Sequence, residues 1–101
     1  MKYNLRLDHI ELSDFDQEQL DKKMDRLKKH LLPPFMIDVT LSHSTRHLHG
    51  NAVGCIVNIQ QGKKVYHADR SADDIQTAID QTLEALRNEL EKAHGKRKKH
   101  S

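Results

Sequence analysis

Tryptophan is absent from this 101-residue sequence, and only Tyr3, Phe15, Phe35 and Tyr66 are aromatic. Modules that bind single-stranded nucleic acid stack bases on exposed aromatic rings. Four scattered rings argue against such a platform, and Phe15 and Phe35, near the ends of the first helical segment, read as hydrophobic staples or core. Cysteine is nearly absent too. Cys55 cannot close an internal disulfide, which fits a reducing compartment. Within "AVGCIVNI" it reads as a small buried hydrophobe, with a disulfide-linked dimer as the rival. No stretch approaches the ~20 apolar residues of a membrane helix. The start, "MKYNLRLDHI", lacks the apolar core and cleavage site of a signal peptide. The expectation is a cytoplasmic, monomeric protein with no membrane partner.

Catalytic signatures are missing as well. There is no glycine-rich phosphate loop, no nucleophile motif and no His-Glu-x-x-His. The expectation is a non-enzyme with no cofactor, no metal and no small-molecule substrate.

Charge is plentiful but unevenly spread. Residues 87–101 hold six basic side chains against two acidic ones, a net +4, whereas residues 1–86 hold 11 basic and 13 acidic, a net −2. A near-neutral body with a basic end suits a polyanionic partner or serves solubility alone.

The apolar pattern gives the elements. "KYNLRL" alternates as a short strand, with Tyr3, Leu5 and Leu7 on one side. Ser13, with Asp16 three residues on, opens a helix in the manner of a capping box. Leu20, Met24, Leu27 and Leu31 form its apolar stripe. It runs to about Leu32, where Pro33 and Pro34 stop it. Lys22, Arg26 and Lys29 lie together opposite that stripe, with Lys23 beside them. Glu18, Asp21 and Asp25 occupy a neighbouring strip, so the sorting is either a binding face or the by-product of pairs such as Glu18–Lys22 and Asp25–Lys29.

"MIDVTLS" and "AVGCIVNI" alternate as second and third strands. "QQGKK" supplies a glycine turn, and "VYHAD" is a fourth strand forming a hairpin with the third. Ser71 caps a last helix, with Asp73 and Asp74 in its first turn. Ile75, Ile79, Leu83, Leu86 and Leu90 make its stripe, extended by Ala78 and Ala93, and Gly95 stops it. The order β-α-β-β-β-α, with one apolar face per element, predicts an α+β fold: one four-stranded sheet with both helices on one side. Residues 1–95 form a single domain and 96–101 a basic flexible tail.

"LSHSTRHLHG", between strands two and three, holds His43, His47 and His49. Imidazoles suit zinc, copper or nickel. No Cys, Asp or Glu lies between Leu41 and Gly54, and His67 is the one further partner, so a solvated or RNA-touching loop is preferred to a metal site.

The β-β-β-α portion resembles the double-stranded RNA-binding fold. The residues go further. In "YHADRSADDIQTAIDQTLEAL", Tyr66, Ala68, Asp74, Ile75, Ala78, Ile79 and Asp80, followed by Leu86 and Leu90, resemble the motif of the bacterial ribosome hibernation-promoting factor and ribosome-associated translation inhibitor family. "IELSDFDQEQLDKKMDRLKKHL" is similar to that family's first helix, with Lys23 four residues before Leu27. The resemblance implies binding to the small ribosomal subunit and its rRNA, in the channel of messenger and transfer RNA. Translation would be inhibited and inactive ribosomes preserved under stress. It also implies a short form without a second domain. Duplex RNA is read through phosphates, 2′-hydroxyls and shape, so long cations are the expected contacts: Lys22, Lys23, Arg26, Lys29, Arg46, Arg87, Lys92, Lys96, Arg97, Lys98 and Lys99. The alternatives are a general double-stranded RNA-binding module, or a protein-interaction domain of the sigma-factor modulator type.

Overall fold

Alternating apolar residues pair into strands, and the two 3.6-residue stripes wind into helices that cover one face of the sheet. The structure, a computed structural model, describes residues 3–43 and 52–95. In chain order the elements are β1 (Asn4–Asp8), α1 (Asp14–Lys28), β2 (Phe35–His43), β3 (Val53–Gln61), β4 (Lys64–Ala72) and α2 (Ile75–Gly95). The strands lie in the order β1-β2-β3-β4. β1 runs parallel to β2, with Leu5 opposite Val39, while β2–β3 and β3–β4 are antiparallel. The α+β reading of the sequence matches this mixed sheet.

Register decides which side chains are buried. Ile37, Val39 and Leu41 of β2, Val53, Cys55, Val57 and Ile59 of β3, and Tyr66, Ala68 and Ala72 of β4 share one face. Leu20, Met24 and Leu27 of α1 and Ala78, Ile79, Leu86 and Leu90 of α2 close over it as one core. Full burial of each large aliphatic side chain contributes roughly 1.5–3 kcal/mol. Thr82 is the buried polar residue among them; its hydroxyl donates to the Ala78 carbonyl at 2.8 Å and the Cys55 carbonyl at 3.3 Å. Among the described residues no helix covers the opposite face of the sheet.

Several boundaries differ from the sequence expectation. α1 ends at Lys28 with Lys29 as its cap, not at Leu32. A short turn then lets Leu31 reach the core outside the helix. β4 runs on to Ala72, because Ala72 pairs with Val53 and its methyl is buried. The cap of α2 is therefore Asp74, not Ser71. The Asp74 carboxylate accepts from the Thr77 N–H at 2.8 Å, which holds it below the usual carboxylate range. Ala93 is exposed and does not extend the stripe. Phe15 is exposed and staples nothing. It sits five residues before Leu20, which turns it away from the stripe at about 100° per residue. Phe35 packs against the core from the start of β2 rather than from a helix end. Leu7 is more exposed than the alternation of β1 implies, because β1 is an edge strand.

Candidate nucleic-acid interface

The cations sort by position along the strands rather than by element. β2 begins and β3 ends at the same end of the sheet, since Phe35 pairs with Gln61. The β3–β4 turn is tied there. The Gly62 N–H donates to the Pro34 carbonyl at 3.2 Å, and the Leu32 N–H to Gln61 Oε1 at 2.6 Å. α1 delivers its C-terminus to this end. α2 heads the same way: it leaves β4 at Ala72, beside Val53, and passes over Cys55 at Thr82. Ten residues later, at ~1.5 Å rise each, Lys92 lies about 15 Å further toward Gln61.

One end therefore gathers Arg26, Lys28, Lys29 and His30 from α1 and its cap, Lys63 and Lys64 from the hairpin turn, and Lys92 from α2. Lys22 leads into it along the exposed row Lys22–Arg26–Lys29. These cations also lie at the negative end of the α1 dipole, which they complement. Lys28 is mostly covered and pairs with Asp25 at 3.9 Å. That pair replaces the expected Asp25–Lys29 bridge and leaves Lys29 projecting.

The far end has the opposite sign. Residues 8–19 and 71–77 together carry Asp8, Glu11, Asp14, Asp16, Glu18, Asp73 and Asp74, with no Lys or Arg. They meet there because Asp8 ends β1 and Asp74 opens α2. The open sheet face is no richer in cations: Arg6 stands against Asp8, Asp38 and Asp69. It bears a row of polar side chains, in which Asn4 donates to Asp38 at 2.7 Å and His67 Nδ1 lies 2.6 Å from Asn58 Oδ1. No Tyr or Phe lies on this face among the described residues.

The expected contacts thus fall into groups. Lys22, Arg26 and Lys29 are exposed and converge, and Lys92 joins them. Arg87 is exposed on α2 but sits between Glu84 and Glu91, three and four residues away. Lys23 differs from its neighbours. Its side chain is 15% exposed, and its ammonium group lies 2.6 Å from the Asp80 carboxylate and 2.5 Å from Gln76 Oε1. Arg46 and the tail cations Lys96, Arg97, Lys98 and Lys99 lie outside the described residues. The strand ends that flank the Arg46 segment, His43 and Val53, stand at the end away from Lys29 and Lys63. Lys63 and Lys64 were missing from the sequence-based set, because nothing local to "QQGKK" says that the turn packs beside Pro34.

The histidine cluster does not assemble from its described members. His43 shares the face of Leu41, whereas His67 lies on the open face midway along the edge strand β4, so the two point to opposite sides. His47 and His49 lie outside the described residues. No group of three or more metal-capable side chains occurs among the described residues. A shallow open hollow between β4 and α2 is lined by Arg70, Gln81, Glu84, Ala85 and Asn88, a mixed-sign surface rather than an anion cradle.

The fold is shared with solved structures. The N-terminal domain of Thermus thermophilus Protein Y superposes with a TM-score of 0.73 at 17% identity, covering 91% of this chain and 98% of that one. A ribosomal subunit interface protein from Coxiella burnetii gives 0.70 at 18% identity, covering 94% and 99%. No curated protein sequence matches. The family model described as sigma 54 modulation protein / S30EA ribosomal protein matches residues 3–98, nearly the whole sequence. This chain belongs to that family.

Proposed function

We propose that the chain binds the rRNA of the small ribosomal subunit in the channel used by messenger and transfer RNA, inhibiting translation and preserving inactive ribosomes under stress. One observation carries this: cations from α1, the β3–β4 turn and α2 meet at a single end of a domain whose other end is acidic. Such polarity presents one end to a polyanion and turns the other away. Membership of a family described by a ribosomal protein supports the ribosome as that polyanion, as does the likeness to a subunit interface protein. The contact set is Lys22, Arg26, Lys29, Lys63, Lys64 and Lys92, with Arg87 at its margin, and the tail cations Lys96, Arg97, Lys98 and Lys99 are proposed to add to it. The protein acts as a cytoplasmic monomer, by occupancy and not by catalysis.

The test is co-sedimentation of the full chain with small subunits and assembled ribosomes through a sucrose gradient, at several salt concentrations. Six phosphate contacts give a log–log salt slope of about five. Removing residues 96–101 is expected to leave the fold intact and weaken binding. Salt-independent association, or none at low salt, sinks the proposal. Equal affinity for any RNA duplex points instead to a general duplex-binding module, and binding to neither RNA nor ribosome to a protein-interaction domain.

A further inference from the structure

The two helical motifs of the sequence meet in space through one side chain. Lys23 belongs to the Lys-x-x-x-Leu spacing of α1, and Asp80 closes the Ala-Ile-Asp run of α2. Their charged groups are 2.6 Å apart. Lys23 also donates to Gln76 Oε1 at 2.5 Å, and Gln76 Nε2 donates to Asp16 Oδ1 at 2.9 Å. Asp16 is itself the capping-box residue of α1, with its other oxygen 3.5 Å from the Ser13 N–H. The chain of contacts Asp16–Gln76–Lys23–Asp80 crosses from α1 to α2 and back, and then to α2 again.

The apolar stripes of both helices join one core over the sheet, and beside it this chain of polar contacts links α1 directly to α2. Lys23 is also poorly placed to meet a phosphate. Its ammonium group already holds a carboxylate and an amide oxygen, and a phosphate would have to displace Asp80.

We infer that Lys23 is a positioning residue, bolted by Asp80 and Gln76, that sets the spacing between the α1 cations and those of α2, and is not itself an RNA contact. The inference rests on the RNA-binding reading above. It makes a prediction opposite in sign to simple electrostatics. Removing the Asp80 carboxylate takes a negative charge from the molecule, which by Coulomb attraction alone tightens RNA binding. If the carboxylate fixes Lys23 and the helix spacing, binding weakens.

The experiment measures the affinity of the full chain for purified small subunits across a salt series, with circular dichroism confirming that each variant is folded at the assay temperature. Asp80→Asn is expected to bind about threefold or more weakly than the wild type, a size typical of broken side-chain networks. Asp80→Glu keeps the carboxylate and is expected to stay close to wild type. Lys23→Met is expected to lose affinity with the salt slope unchanged, whereas a lost phosphate contact lowers that slope by about 0.9. Asp80→Asn binding as tightly as wild type or tighter, or a slope reduced by about one contact in Lys23→Met, overturns the inference while leaving the ribosome reading in place. A wild-type chain that binds no subunit overturns both.

Discussion

Cys55 sits near the start of β3 with no exposed surface, and burial pushes its thiol from 9.0 up to about 11. The folded state therefore holds the proton more tightly than the unfolded chain does. Stability from this group is complete below about pH 9 and is lost as pH rises from there toward 11. At pH 10 the loss is expected to reach about 1 kcal/mol. Urea denaturation at pH 8 and pH 10 checks this, and Cys55→Val is expected to flatten the dependence. Above pH 10 Tyr3 adds to the same trend, because burial and its hydrogen bond to Asp21 at 2.6 Å push its phenol upward. The buried thiol was legible in "AVGCIVNI", since alternation alone puts Cys55 with Val53 and Val57. The fate of Lys23 was not. Helical spacing places it beside Lys22 on a polar flank, and only the approach of α2 reveals that it faces a carboxylate 57 positions away in sequence.

Among the elements, α1 shows how a local signal becomes structure. Ser13 Oγ accepts from the Asp16 N–H at 3.0 Å, and the Asp16 carboxylate reaches back to the Ser13 N–H. Ser13→Ala is expected to cost about 1 kcal/mol of unfolding free energy, measured by urea denaturation. This start was readable because a capping box is written within four residues. The other ends were harder. Pro33 forbids helix beyond it, but it does not say where the helix stops, and the need to bring Leu31 onto the core ends α1 four residues before Leu32. At the head of α2 the sequence reading puts the cap at Ser71, with Asp74 in the first turn. The cap is Asp74 instead, because β4 claims Ser71 and Ala72 through pairing with Gly54 and Val53, a long-range decision. The turn between β3 and β4 was clear from Gly62, whose φ of +61° is the left-handed region glycine favours.

For the molecule as a whole, the decisive property is its electrical polarity, basic at the β3–β4 turn and acidic where α2 begins. The net charge of +2 conceals it. Lys63→Glu with Lys64→Glu is expected to weaken small-subunit binding at least tenfold at physiological salt and to reduce the salt slope by about two. Arg6→Glu on the open sheet face is expected to change neither; filter binding over a salt series reads both. The basic tail and the row on α1 were visible in the sequence. The contribution of the turn was not, because it depends on which strands lie side by side.

The same topology ties occupancy to folding. Among the described strands β1 alone pairs in parallel, and it lies at the edge, joined to the rest through β2 and through α1. If β1 and α1 detach together, Lys22, Arg26 and Lys29 leave with them, while Lys63, Lys64 and Lys92 stay on the hairpin and α2. The partly opened domain then holds two half-sized charge clusters in place of one. On the proposed function, a polyanion spanning both halves is an external clasp on the amino-terminal segment, and binding it is expected to raise the stability of the whole domain.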